Sequence, residues 1–199
     1  MSKLYFRYGV MNSGKSLQLL TVAYNYEEQG KSVLLLRPSI DTRTTDGCIE
    51  SRLGIKKPCI TINRNENIMQ LIYERDLYPD VIILDEAQFL TKEQVKELNT
   101  LAWKMDIPVL CYGLKNSAID GELFEGSEAL LYYADDFQEI KTTCQYCNSK
   151  ANMNLKLIGD KPVRDGKIVQ IGDVKESIDN IRFLSVCKKH YYEYGGISK

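Results

Sequence analysis

Gly9-Val10-Met11-Asn12-Ser13-Gly14-Lys15-Ser16 follows the pattern G-x-x-x-x-G-K-[ST]. These residue types suit one task, the holding of a chain of phosphates. Gly9 and Gly14 let backbone N–H groups converge on phosphate oxygens, and Met11, Asn12 and Ser13 supply the rest of the loop. Lys15 reaches the outer phosphates as a point charge, and the Ser16 hydroxyl can ligate magnesium. A second acidic element, Asp85-Glu86, ends the apolar run Val81-Ile82-Ile83-Leu84. Alone, such a pair would most simply favour the helix that follows it. Beside a phosphate loop, Asp85 reads as the carboxylate that holds magnesium and Glu86 as the base that accepts the proton of an attacking hydroxyl.

Cys144-Gln145-Tyr146-Cys147 and Cys187-Lys188-Lys189-His190 are two ligand pairs, each with two residues between its members. Three thiols and an imidazole at that spacing suit tetrahedral zinc. Four protein ligands leave no open position, so the metal is expected to be structural. Clamping its two ends, the pairs would hold a long loop beginning near Gly159 and ending near Phe183, placed to cover a substrate. Cys48, Cys59 and Cys111 are scattered and read as small apolar residues.

The elements that must position these groups alternate in type. Leu4 to Tyr8 reads as a strand, and Ser16 to Glu28 as a helix with Leu17, Leu20, Ala23 and Tyr24 at helical spacing and Gly30 as its stop. Ser32 to Leu36 is a second strand, followed by a polar stretch through Gly54 with no periodicity, expected to be a surface loop. Ile68, Leu71 and Ile72 recur at helical spacing, and Val81 to Leu84 is a buried parallel strand. Thr91 to Trp103 is a helix with Thr91 as N-cap and Gln94 reciprocating, and Ile107 to Tyr112 is another strand. Continuous apolar strands alternating with helices give an α/β fold, an open parallel sheet whose ligands bind at the strands' carboxyl ends. Near Thr142 the composition shifts toward Cys, Gly and Asn, which divides the chain into a phosphate-loop domain, 1–142, and a metal-binding domain, 143–199.

Composition narrows the partners. With 26 basic residues against 27 acidic ones, no global field draws the chain to nucleic acid or to an anionic membrane. No apolar run reaches the length of a membrane span, and Met1-Ser2-Lys3-Leu4 lacks a signal peptide's apolar core, so a cytoplasmic location is expected. The Tyr191-Tyr192-Glu193-Tyr194 tail is aromatic but not basic and reads as helix or packing residues.

Several of these motifs together resemble the type II thymidine kinases: Met11 to Ser16, Asp41-Thr42-Arg43, Asp85-Glu86-Ala87-Gln88-Phe89, Gly121-Glu122-Leu123-Phe124-Glu125-Gly126-Ser127 and the two metal-ligand pairs. The likeness spans nearly the whole chain. It implies a RecA-like P-loop sheet flanked by helices, a small zinc-binding domain carrying a lasso loop, ATP with Mg2+ as co-substrate, thymidine or a related deoxynucleoside as acceptor, and a homotetramer. By the same likeness Glu86 is the general base, and Arg43 and Asp41 help to position phosphate, magnesium and sugar; Glu86, Lys15 and Arg43 form the expected catalytic set. Met11, Phe89 and Phe124 would contact the nucleoside. Lasso backbone near Ile168 and Gln170 would hold the base, with Phe183 at the lasso's far end.

Three departures from the family pattern bear on substrate choice. Gly113-Leu114 leads into Lys115-Asn116-Ser117-Ala118-Ile119-Asp120, without the aromatic the family places there. Gly172-Asp173 runs through a longer Val174 to Arg182 stretch to Phe183, where the family has a tyrosine. Asn12 stands where many relatives carry phenylalanine. The first two touch the nucleoside and not the phosphates, so a wider or less discriminating base pocket is expected. Two other readings of the same core are an ATPase working on nucleic acid and a nucleotide-binding protein without kinase activity. The first lacks a basic, aromatic stripe, and intact Lys15 and Glu86 argue against the second.

Overall fold

The computed structural model describes residues 1–39, 47–166 and 181–194. The first half runs β1 (Leu4–Tyr8), α1 (Lys15–Glu28), β2 (Val33–Pro38), β3 (Cys48–Glu50), β4 (Lys56–Pro58), β5 (Ile60–Ile62), α2 (Ile68–Glu74) and β6 (Val81–Leu84). A 3₁₀ turn at Ala87–Phe89 leads to α3 (Lys92–Met105), β7 (Val109–Gly113), α4 (Glu125–Tyr133) and β8 (Asp136–Glu139). The last elements are β9 (Met153–Ile158), β10 (Lys161–Val163), β11 (Ile181–Val186) and α5 (Lys188–Glu193).

Side-chain alternation along the apolar strands sorts the core into two layers. Ile82 and Leu84 of β6 face α2, α3 and α4 along with Leu4, Phe6, Val109 and Cys111. Val81 and Ile83 face the opposite way, where Leu19, Leu20 and Ala23 of α1 cover them. The six strands pair in the order β5-β2-β6-β7-β1-β8, every pair parallel. This is the doubly covered α/β sheet of P-loop type expected from the sequence. Strand β7 lies between β1 and β6, which sets the phosphate loop and the acidic pair two strand spacings, about 10 Å, apart.

The helix caps follow the sequence. Thr91 Oγ1 accepts from Gln94 N at 3.2 Å, and Gln94 Oε1 accepts from Thr91 N at 3.1 Å, the reciprocal box that starts α3. The boundaries differ modestly: α1 begins at Lys15, β2 runs on through Pro38, and β7 starts at Val109. A larger difference begins within the stretch read as loop and runs just past its end at Gly54. Cys48–Glu50 and Lys56–Pro58 form an antiparallel hairpin whose Ile49 is buried against the α1 layer. Three-residue strands show no period, so one buried isoleucine was the sole signal.

The C-terminal sheet, ordered β10-β9-β11, is antiparallel. Leu155, Leu157, Val186 and Tyr191 form its own small core with Cys144 and Cys187. Where the loop is expected to begin, near Gly159, the chain instead turns so that β10 returns along β9, and at its expected end β11 already starts at Ile181. Tyr191 is buried within α5, while Tyr192 is exposed.

Candidate active site

The phosphate loop joins β1 to α1 and is held in a tight curve by its own sequence. A Cβ on Gly9 would stand 2.5 Å from Ser13 Oγ and 2.7 Å from Ile140 O, so only glycine fits there. Asn12 and Gly14 both adopt left-handed backbone, φ 61° and 85°, the alternation that turns successive N–H groups toward one point. Asparagine tolerates that conformation better than phenylalanine does, which gives Asn12 a local reason. Lys15 is buried and its Nζ donates to Val10 O at 2.8 Å.

Ser16 and the acidic pair meet across the sheet. Ser16 Oγ donates to Asp85 Oδ2 at 2.8 Å, and Glu86 N donates to Asp85 Oδ1 at 3.0 Å. Burial, reinforced by the charge of Glu86, pushes the Asp85 carboxyl up to about 7. Glu86 itself sits at φ 52°, an uncommon backbone for a glutamate and one that aims its side chain away from the strand line. Gln88 donates to Glu86 Oε2 and accepts from Leu114 N at 3.0 Å, tying the carboxylate to the end of β7.

Two cavities open at the carboxyl ends of these strands. The first, of about 1000 Å³ including its open mouth, is bordered by residues 11–17, Glu86, Leu114 and the hairpin turn from Glu50 to Leu53. Two hydroxyls on its border, Ser13 Oγ and Ser51 Oγ, are buried without a hydrogen-bond partner. Orphaned donors beside left-handed loop backbone fit a polyphosphate. The second cavity, of about 550 Å³, is apolar and is bordered by Met11, Phe89, Leu114, Ile119, Phe124 and Phe183, among others. Phe89 and Phe124 meet edge to face with centroids 5.5 Å apart. Gly126 permits this packing: a Cβ there would lie 2.4 Å from Ala87 O. Met11 and Leu114 border both cavities, so the two adjoin.

Met11 is also where the small sheet grips the phosphate loop. Asn154 of β9 accepts from Met11 N at 2.8 Å and donates to Asn116 O at 3.1 Å, and Ser185 of β11 donates to Met11 O. Direct pairing of Asn154 with Ser185 across the strands puts both on one face.

Behind that sheet, Cys144, Cys147, Cys187 and His190 bring their ligand atoms within 4.8 Å of one another. Cys144 Sγ lies 3.5 Å and Cys187 Sγ 3.2 Å from His190 Nδ1, and Cys147 Sγ lies 3.9 Å from Cys187 Sγ. Zinc–sulfur bonds of about 2.3 Å in a tetrahedron require ligand separations of about 3.8 Å, so the set fits such an ion. Hydrogen bonding with Ser149 holds the Cys147 thiol down at about 6, whereas burial raises Cys187.

Of the residues singled out in the sequence, Met11, Phe89, Phe124 and Phe183 come together at the apolar cavity. Residues 11–16 and Glu86 come together at the other, with Gly9 and Asp85 directly behind. Asp41, Arg43, Ile168 and Gln170 lie outside the described residues. Sequence reasoning missed Gln88, Leu114, Asn154, Ser185 and the hairpin border. Only Asn154 carried a signal, a polar residue alternating with apolar ones in Met153 to Ile158.

A parallel α/β sheet with a phosphate loop at one strand end, an acidic pair two strands away and a Cys₃His cluster behind a small sheet defines a P-loop protein with a cysteine-rich appendage. The sequence model of the thymidine kinase family matches residues 2–191, and the chain belongs to that family. It is 44% identical over 193 residues to the thymidine kinase of Lactococcus lactis subsp. lactis (strain IL1403), covering 97% of this chain and 98% of that one. The thymidine kinase of Streptococcus gordonii (strain Challis) is also 44% identical, over 97% of each chain. That of Enterococcus faecalis (strain ATCC 700802 / V583) is 44% identical over 96% of this chain and 95% of its own. Among solved structures, Pif1 helicase from Candida albicans superimposes on 70% of this chain and 36% of its own with a TM-score of 0.42 and 14% identity, a likeness too weak to bear on this site.

Proposed function

We propose that this chain transfers the γ-phosphoryl group of Mg-ATP to the 5′-hydroxyl of thymidine. One observation carries the reading: a cavity shaped for phosphates and an apolar cavity of nucleoside size adjoin at Met11 and Leu114, with Glu86 on the phosphate side. Glu86, held by Gln88, takes the proton of the 5′-hydroxyl as it attacks. Lys15 and the loop N–H groups carry the developing phosphate charge. Asp85 and Ser16 would hold magnesium, which would shield the phosphates, and the Cys₃His set would hold a structural zinc. Met11, Phe89, Phe124 and Phe183 border the nucleoside. Arg43 and Asp41 near the phosphates, and Ile168 and Gln170 at the base, belong to this proposal through the family resemblance alone.

The division at 142/143 belongs to it as well, supported by β8 being the last strand of the large sheet and by the separate core of the small one. So does the homotetramer, supported by the edge position of β8 and by exposed Phe137 and Tyr132 near it. Sedimentation at micromolar concentration tests that number. No helix among the described residues is long and apolar enough to cross a membrane; a cytoplasmic place belongs to the proposal as the sequence expectation alone.

A second reading keeps the chemistry and broadens the acceptor. Ser117, Ala118 and Ile119 border the nucleoside cavity where the family's aromatic is missing, and small side chains leave room. Steady-state transfer from ATP to thymidine, deoxyuridine, deoxycytidine and deoxyguanosine separates the two, with Glu86→Gln as control. Thymidine turnover lost in the variant supports the proposal; tight ATP binding without transfer to any nucleoside overturns it.

A further inference from the structure

Among the described residues, one lysine borders the apolar cavity without a partner. Three polar side chains of the described residues border that cavity, and two are satisfied within the protein. Asn154 uses both ends of its amide, on Met11 N and Asn116 O. The Ser117 hydroxyl donates to Ile119 O at 3.2 Å and accepts from Ile119 N at 3.0 Å. Lys156 is only 7% exposed, and among the described residues it has neither a hydrogen bond nor an ion pair. Lysines this little exposed are ordinarily paired, so an acceptor presented by whatever fills the cavity would meet a donor in Lys156.

Placement says which part of the ligand that is. Lys156 stands on β9 two residues beyond Asn154, about 7 Å along the strand from the residue that holds the phosphate loop, and directly opposite Phe183. A pyrimidine nucleoside whose 5′-hydroxyl points at the phosphate loop turns the far end of its base toward this part of the cavity. That far end is C4, which lies across the ring from the N1 that carries the sugar. Thymine and uracil have a keto oxygen there, an acceptor; cytosine has an amino group, whose N–H bonds face an ammonium unfavourably.

We infer that Lys156 is a specificity-determining residue whose ammonium donates to the C4 keto oxygen, selecting 4-keto over 4-amino pyrimidines. The inference rests on the nucleoside kinase reading proposed above and deepens it. It locates discrimination in a side chain of the small sheet, so the metal-held appendage would contribute chemistry and not only cover.

The test is kcat/KM for thymidine, deoxyuridine and deoxycytidine at saturating Mg-ATP, using the full chain and Lys156→Met, which keeps a similar length without a donor. Losing a charged hydrogen bond should lower thymidine and deoxyuridine about 10- to 100-fold while deoxycytidine changes less than about threefold. The thymidine preference then shrinks by at least about tenfold, and Lys156→Arg retains most of it. Because the ratio is internal to one preparation, partial misfolding lowers both numbers and leaves it unchanged. An unaltered thymidine-to-deoxycytidine ratio in Lys156→Met, with active wild-type protein, overturns the inference and leaves the kinase reading intact. Wild-type protein that phosphorylates no nucleoside overturns both.

Discussion

The two cavities share a wall but are built in opposite ways. The phosphate cavity is largely contiguous sequence: eight residues from Gly9 to Ser16, with one acidic pair brought alongside by parallel strands. The nucleoside cavity draws on the loop after the phosphate loop's first glycine, the 3₁₀ turn, the 114–124 connection and two strands of a separate sheet. Phosphate geometry is the same in every nucleotide, so a short local motif suffices. A base must be told from other bases, and that takes groups converging from several directions.

If the two cavities depend on different parts of the fold, they should fail separately. Stripping the metal, or Cys187→Ser, withdraws on the order of 10 kcal/mol of coupled binding energy from the small sheet. Thymidine transfer should be abolished while nucleotide still binds the phosphate loop, more weakly because Met11 loses its grip from the small sheet, measured by calorimetric titration of ATP before and after chelation. Loss of both together would make the comparison wrong.

Asn154→Ala is milder and more pointed, since it unpins Met11 without dissolving the sheet. Leaving Met11 N and Asn116 O without that partner should cost about 1–3 kcal/mol, lowering kcat/KM for thymidine by about 10- to 100-fold. The KM for ATP should rise too, because Met11 belongs to both cavities. An effect confined to one substrate would place the hinge elsewhere.

How much of this was legible followed the same division. Gly9 to Ser16, Asp85-Glu86 and the cysteine pairs declare their chemistry through short spacing, and the apolar run of β6 told where the acidic pair would lie. The hairpin at Cys48 to Pro58 and the β9–β11 sheet did not, since three- to six-residue strands in polar sequence carry little period. Asn154 and Ser185 are distant in sequence, and only pairing in register brings them to Met11. Lys156 looks like the exposed face of an ordinary strand until the segments bordering the apolar cavity come together around it.

The acidic pair predicts a pH effect specific to the phosphate side. With Asp85 raised to about 7 by burial and by Glu86, against about 4 in the unfolded chain, the metal-free folded protein binds more protons between those values. Its stability should therefore fall as pH rises from about 4 to 7, by on the order of 4 kcal/mol or about 8–16 °C in Tm. Magnesium, which needs the carboxylate, should bind more tightly over the same rise. Asp85→Asn should flatten both trends, checked by melting curves across pH with and without Mg2+. Smallest of all, Thr91→Ala removes the α3 capping box and should cost about 1 kcal/mol of stability with transfer kinetics unchanged, since neither Thr91 nor any residue of α3 borders either cavity.

The central claim is that the two cavities form one working site joined at Met11 and Leu114. A ligand with adenosine and thymidine joined 5′ to 5′ through a chain of phosphates tests it directly, by equilibrium competition as the chain is lengthened. At one phosphate number it should displace ATP and thymidine together and bind more tightly than either. Competition with only one of them, at every length, would contradict the account.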